Sequence, residues 1–118
     1  MQTHKNLTVW KRSIELGVLT YKITRGFPKE ELFGITSQMR RAVLSIPFNI
    51  AEGHGRNSDK DLVRFLYISL GSASEFETQI IVAHKLEFLT NEEFNMFNSE
   101  INEIIKMLVA LIRSKKVD

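Results

Sequence analysis

The 118-residue sequence has no cysteine, only two prolines and six glycines, and no long apolar run. Without cysteine, the chain has no disulfides, thiolate metal sites or cysteine nucleophile. So few glycines and prolines exclude fibrous and disordered classes and argue against a β-sandwich, which needs many turns. The longest wholly apolar stretch, 107–112, is six residues, whereas a membrane span needs about 20. With no signal-peptide pattern at the N-terminus, we expect a cytoplasmic protein.

Composition and length are those of one globular domain, residues 1–118, with 43% hydrophobic and 25% charged residues. The net charge of +2 is unevenly placed. Residues 1–71 carry 11 Lys and Arg against 6 Asp and Glu, whereas residues 72–118 carry 5 against 8. If the basic half forms one face, it suits an anionic partner such as nucleic acid. A solvated surface of mixed charge is the alternative.

Four segments repeat their apolar residues with the helical period of 3.6. They predict helices at about 7–25, 36–53, 58–89 and from 90 onward. Thr36, Ser58 and Thr90 are the predicted N-caps of the last three, and Pro47 predicts a kink in the second. Since the connections are short, neighbouring helices should be antiparallel. The sequence predicts an all-α, antiparallel up-and-down four-helix bundle with a Pro-kinked second helix.

Two stretches, Phe65–Leu70 and 107–112, are apolar on more than one helical face. Such excess favours a second buried surface through self-association, although a wide stripe in a thick core explains it too. Gly71 begins a run of four small residues, 71–74, which costs helix propensity but permits close approach of another helix. The candidate oligomer-interface residues are Phe65, Tyr67, Ile68 and Gly71.

A polar stripe at spacings of three and four residues follows the second helix. Its members are Gln38, Arg41, Ser45, Asn49, Glu52 and Arg56. One interpretation is a hydrogen-bonded network that fixes packing around Pro47; its members would be Gln38, Ser45, Asn49 and Glu52. The other is a phosphate-binding strip; its candidates are Arg40, Arg41, Arg56, Lys60 and Arg64. For the arginines, both interpretations stay open.

No catalytic apparatus is visible. The three histidines, His4, His54 and His84, are scattered, and none has a second histidine at helical spacing, whereas metal or acid–base sites need converging partners. The Gly53–Gly55 segment follows a helix and not a strand, so it does not fit a phosphate-binding loop. We therefore expect no enzyme activity, no metal, no cofactor and no small-molecule substrate.

The segment from Gln38 to Arg56 resembles the signature of the 23S rRNA intervening-sequence proteins, with Ile46-Pro-Phe-Asn-Ile-Ala-Glu-Gly53 as its most specific part. The resemblance extends from about residue 7 to residue 89. Other matching features are Trp10, Phe27-Pro28, Glu31, Phe65-Leu66, Gly71-Ser72, Glu75 and Gln79. Ser69 and Glu87 depart from the pattern, where alanine and glycine are expected.

The resemblance implies a bacterial helical bundle that assembles into a homopentamer-like ring. A related branch, the accessory protein of diversity-generating retroelements, is a basic barrel associated with nucleic acid and reverse transcriptase. We therefore expect a non-enzymatic homo-oligomer that associates with RNA or DNA through a basic surface, independently of sequence. The alternative is a protein–protein scaffold whose ring is the functional unit, without nucleic-acid binding. Neither hypothesis involves a membrane.

Overall fold

The computed structural model describes residues 3–115, which form four helices and no strand. The helices are α1 Thr8–Thr24, α2 Ser37–His54, α3 Asp59–Lys85 and α4 Asn91–Lys115. Each helix packs on the next, and α1 also contacts α4, which closes the bundle. The molecule measures 45 × 23 × 22 Å. The predicted all-α four-helix bundle is confirmed, and no helix among these residues is long and apolar enough to cross a membrane.

One continuous core runs along the bundle axis, and α4 contributes most regularly to it. Phe97, Ile101, Ile104 and Leu108 are fully buried on its inner side. Alternating spacings of three and four from Phe97 would continue this stripe to Leu111, but the last buried residue of α4 is Ile112. This shift arises because a straight helix of 3.6 residues per turn drifts away from a stripe spaced at 3.5.

Two of the three predicted N-caps form. Thr90 Oγ1 accepts a hydrogen bond from the Glu93 N–H at 3.1 Å, and Glu93 Oε1 accepts one from the Thr90 N–H at 2.9 Å. This reciprocal pair is the capping box that the sequence predicts for α4. Ser58 Oγ likewise accepts from the Asp61 N–H at 3.2 Å at the start of α3.

The prediction that Thr36 caps α2 is wrong. Residues Lys29–Glu31 form a 3-10 turn and Leu32–Thr36 a wider π-helical turn, broken at Gly34 with φ −109° and ψ −120°. Thr36 is already helical, and its buried hydroxyl has no hydrogen-bond partner among the described residues. Helix α2 therefore continues directly from the π-helical turn Leu32–Thr36, and no side chain caps its first N–H groups.

Helix α2 is unbroken through Pro47, which has no N–H to donate to the Val43 carbonyl. The kink expected at Pro47 stays a prediction. Beside it, the buried Ser69 hydroxyl of α3 donates to the Ile46 carbonyl at 2.9 Å. Where the family pattern expects alanine, this serine gives α2 and α3 a hydrogen bond inside the core.

Helix α3 ends four residues before the predicted end because Glu87 has the left-handed φ of 66°. The Phe88 N–H donates to the Ala83 carbonyl at 2.9 Å and the Glu87 N–H to the His84 carbonyl at 3.0 Å. This pair of bonds defines a Schellman C-cap, in which glycine is the usual left-handed residue. The Phe88 ring then packs 5.5 Å from the Phe27 ring. Glu87 thus occupies a position that favours glycine, and the Schellman hydrogen bonds at the end of α3 still form.

Glu87→Gly is expected to stabilise the protein by about 0.5–1 kcal/mol. An L-residue in the left-handed region costs about 1–2 kcal/mol. Glycine also raises the conformational entropy of the unfolded chain, which offsets part of the stabilisation. The matched control is Glu103→Gly in the exposed middle of α4, where glycine should cost about 1 kcal/mol. Urea unfolding of both variants measures the contrast, and loss of stability in Glu87→Gly would contradict a strained C-cap.

Candidate nucleic-acid interface

The register between α2 and α3 brings the predicted polar stripe beside the outer side of α3. The Ser72 hydroxyl donates to Ser45 Oγ at 2.8 Å. One end of the pair is packed so tightly that a Cβ at Gly53 would lie 3.0 Å from Phe65 Cβ. Glycine at position 53 is therefore required by the close approach of α3. We call this exposed surface the α2–α3 face; its residues are Gln38, Arg41, Ser45, Phe48, Asn49, Glu52, Arg56, Arg64, Phe65, Ile68, Gly71, Ser72, Glu75 and Gln79.

Two arginines of the α2–α3 face lie against one aromatic ring. The guanidinium carbons of Arg56 and Arg64 are 4.9 and 4.7 Å from the centroid of the Phe65 ring. Glu52, one turn before Arg56, pairs with it at 3.0 Å. Cation–π attraction holds both guanidinium groups near the half-buried ring. We call Arg56, Arg64 and Phe65 the arginine cluster; among residues 3–115, Arg64 has no carboxylate partner within salt-bridge distance.

Lys60 and Arg40, the remaining candidate cations outside this face, have different surroundings. Lys60 is exposed in the first turn of α3, one helical turn before Arg64. Arg40 instead lies between α1 and α2. Its Nε donates to Thr24 Oγ1 at 2.9 Å, and its guanidinium lies 4.5 Å from the centroid of the Tyr21 ring. Lys60 thus lies one helical turn from Arg64 of the arginine cluster, whereas the guanidinium of Arg40 packs on α1.

Arg40→Ala is expected to lower the free energy of unfolding by about 1–2 kcal/mol, since it removes both a hydrogen bond and a cation–π contact. Arg41→Ala, the neighbouring and exposed arginine, is the matched control and should stay within about 0.5 kcal/mol of the parent. Chemical denaturation of the two variants under one set of conditions checks this. Equal losses in both would show that the contacts of Arg40 contribute nothing to stability.

Arg41 lines a polar cleft of about 510 Å³ between α2 and α3. The other lining residues are Gln38, Ala42, Ser45, Ser72, Glu75 and Gln79. Arg41 and Glu75 form no ion pair there among the described residues. The cleft therefore presents a positive and a negative group together, and Arg41 does not join the arginine cluster in an unbroken positive strip.

Of the four predicted members of the polar network, only Ser45 and Asn49 are hydrogen-bonded to each other. Asn49 Nδ2 donates to the Ser45 carbonyl at 2.8 Å and to Ser45 Oγ at 2.9 Å. Ser72 completes this group through Ser45, and no sequence spacing within α2 reveals it. Glu52 pairs with Arg56 instead, and Gln38 is an exposed residue of the polar cleft. The network therefore serves to join α2 to α3 at one level only.

The candidate interface residues divide between exposed and covered positions. Tyr67 and Ile68 are 46% and 43% exposed, and a Cβ at Gly71 would meet no atom within 4 Å. Phe65 is half-buried beneath the two arginines and against Gly53. Three of the four predicted residues thus lie on the accessible outer side of α3.

Sequence reasoning missed Phe48, whose side chain is 62% exposed in the middle of α2. A signal was present, because Phe48 follows Ser45 by three residues and precedes Glu52 by four, which places an apolar ring within the polar stripe. Phe33, 92% exposed in the turn before α2, has no comparable signal in its spacing.

An ion pair joins α1 to α4 on the opposite side of the bundle. Arg12 of α1 donates hydrogen bonds from Nε and Nη2 to the Glu100 carboxylate of α4, the first at 2.9 Å. These bonds raise the pKa of Arg12 above its ordinary value. Within residues 3–115, no group of three or more histidine, aspartate or glutamate side chains is placed to hold a metal ion.

Comparison with known proteins gives a family and a structural relative. The sequence profile described as 23S rRNA-intervening sequence protein matches residues 5–110. A crystal structure of a protein with unknown function, from the S23 ribosomal protein family of Bacteroides thetaiotaomicron VPI-5482, aligns with a TM-score of 0.82 and 28% identity. The alignment covers 89% of this chain and 95% of that chain. Among curated proteins, none matches.

Proposed function

This chain belongs to the 23S rRNA-intervening sequence protein family, and from that premise we propose that it is a non-enzymatic bundle that binds nucleic acid through the α2–α3 face. The carrying observation is the arginine cluster, in which two guanidinium groups lie 4.9 and 4.7 Å from one ring. Contacts from arginine to phosphates hold a nucleic acid without reading its bases, because the phosphate is the same at every nucleotide. The proposed binding is therefore independent of sequence.

Two like charges near one ring repel each other. The ring attracts both, Glu52 compensates Arg56, and Arg64 keeps its charge for a ligand. A phosphate between Arg56 and Arg64 would relieve the repulsion, and Lys60 one turn away adds a third cation. The proposed function involves no catalysis and no cofactor. It requires only that the positive charges of Arg56, Arg64 and Lys60 lie where they can contact a phosphodiester backbone.

The test is fluorescence anisotropy of a labelled 20-nucleotide RNA, titrated with protein at several salt concentrations. We expect log K to fall linearly with log salt, by about 0.7–0.9 for each phosphate neutralised. Oligonucleotides of unrelated sequence should bind with equal affinity. Absence of binding at low salt would overturn the proposal, and a preference of more than about tenfold for one sequence would overturn its sequence-independent form.

A second candidate is a protein–protein scaffold whose homo-oligomer is the functional unit. It is favoured by the exposed Tyr67 and Ile68 beside the open space at Gly71. Burying such a patch against another copy gains apolar contact, and Gly71 permits a close approach. Light scattering of the parent and of Ile68→Asp tests this. Assembly in the parent and its loss in the variant support the scaffold, whereas a parent monomer at high concentration contradicts it.

A further inference from the structure

Phe48 presents an exposed aromatic ring about two helical turns before Arg56 of the arginine cluster. It is 62% exposed, although burial of a phenylalanine side chain contributes about 1.5–3 kcal/mol. Glu52 follows Phe48 by one helical turn, and Arg56, paired with Glu52, follows by another. Phe48 and Arg56 are eight residues apart, which is roughly 12 Å of backbone at the helical rise, and Arg56 lies two residues beyond the end of α2. An apolar ring and a pair of cations therefore share one side of the molecule at a short fixed separation.

We infer that the α2–α3 face binds single-stranded RNA, with an unpaired base stacked on Phe48 while Arg56 and Arg64 contact the backbone phosphates. This inference rests on the proposed nucleic-acid binding and specifies its ligand. Stacking on an aromatic side chain beside a positive groove is the general mode of single-strand binding without sequence preference. The separation of roughly 12 Å corresponds to about three stacked nucleotides at 3.4 Å each.

A duplex cannot make both kinds of contact with the α2–α3 face. Its bases are paired and stacked inside, and the major groove of A-form RNA is too deep and narrow for side chains to reach them. On a duplex the arginine cluster still finds phosphates, but Phe48 meets no base face. Phe48 therefore distinguishes the two ligands, whereas Arg56 and Arg64 serve both.

Asn49 favours RNA over DNA as the strand. Its Nδ2 donates to Ser45. Its Oδ1 accepts no hydrogen bond from residues 3–115 and is not one of their buried polar atoms without a partner, so it is accessible to a ligand. Asn49 follows Phe48 directly in α2, about 100° round the helix, so this acceptor lies beside the stacking position and not under the ring. The ribose 2′-hydroxyl is a donor that deoxyribose lacks. A nucleotide bound beside Phe48 can thus donate a 2′-hydroxyl hydrogen bond to Asn49 only when it is RNA.

The test measures Kd for a 12-nucleotide oligouridine, for its duplex with oligoadenine and for the matching deoxyribonucleotide strand. Phe48→Ala is compared with Phe33→Ala, which removes another exposed ring, 92% exposed against 62%, from the turn before α2. We expect Phe48→Ala to weaken oligouridine binding roughly 5- to 100-fold, the equivalent of one lost base stack. Duplex binding by Phe48→Ala and all binding by Phe33→Ala should be unchanged. Phe48→Trp should retain the single-strand affinity.

The outcomes separate this inference from the proposed function. If neither strand nor duplex binds at low salt, the proposed function fails and this inference fails with it. If both bind and Phe48→Ala weakens them equally or not at all, nucleic-acid binding stands and the stacking role is overturned. If oligouridine and the DNA strand bind equally well, the assignment to RNA is overturned. Circular dichroism of Phe48→Ala should match the parent, because the exposed ring makes little contribution to the core.

Discussion

Replacement of Phe97 by alanine is expected to lower the free energy of unfolding by about 3–5 kcal/mol. Its side chain is fully buried, and its ring meets the Phe76 ring edge to face at 5.7 Å between centroids. Truncation leaves a cavity at the contact of α3 with α4, where the bundle cannot easily collapse. Since small domains have only about 5–15 kcal/mol of stability, this one change removes a large part of it. Equilibrium urea denaturation measures the loss.

The same substitution at exposed positions provides the control for Phe97→Ala. Phe33→Ala and Phe48→Ala should each stay within about 0.5 kcal/mol of the parent, since both rings lie mainly in solvent. A double-mutant cycle of Phe76→Ala and Phe97→Ala isolates the ring pair, for which we expect a coupling of about 0.5–1.5 kcal/mol. A cost below about 1 kcal/mol for Phe97→Ala would mean that the centre of the core lies elsewhere.

Local signals explain which parts of the fold were predictable. The Thr90 capping box and the apolar stripe of α4 depend on residues three or four apart, so the sequence carries them directly. The start of α2 was predicted to within one residue, but its side-chain cap was not, because the turns before it continue into the helix and leave Thr36 buried without a capping role. The end of α3 was misplaced because Glu87 takes a backbone conformation that sequence reasoning reserves for glycine.

The candidate site was predictable only in part, because its geometry depends on the pairing of two helices. Spacing within α2 finds the polar stripe, but Ser72 and Phe65 enter the site through the register of α3. Arg40 and Arg41 illustrate the limit most clearly. They are neighbours in sequence, yet one packs between α1 and α2 and the other lines the polar cleft. No signal in the sequence tells which of the two adjacent arginines donates a hydrogen bond to the buried Thr24 hydroxyl.

The two proposed functions compete for the same surface. Arg64 of the arginine cluster and Ile68 of the candidate interface are one helical turn apart on α3. A second copy that covers Ile68 would therefore approach Arg64, and RNA bound at Arg64 would approach the interface. If both functions operate, assembly and RNA binding should be thermodynamically linked, each changing the affinity of the other by the same factor. Sedimentation of the protein with and without oligouridine would reveal that linkage.

Charge reversal at the arginine cluster is expected to have the largest effect on binding. In Arg56→Glu/Arg64→Glu, two charged phosphate contacts are lost, each contributing about 1.5–3 kcal/mol, so Kd should rise about 100-fold or more. For a single strand, the slope of log K against log salt should also fall by about 1.4, since each phosphate contact contributes about 0.7. Because both side chains are exposed, the variant should fold.

The matched control is Lys22→Glu/Arg25→Glu, which changes the net charge by the same amount at exposed positions at the end of α1. A general positive field would make both double variants lose affinity equally, with similar salt slopes. A ligand held at the arginine cluster makes only the first variant lose its phosphate contacts, because α1 packs on α2 and α4 and not beside the α2–α3 face. Equal losses would therefore exclude a localised site even if the protein binds RNA.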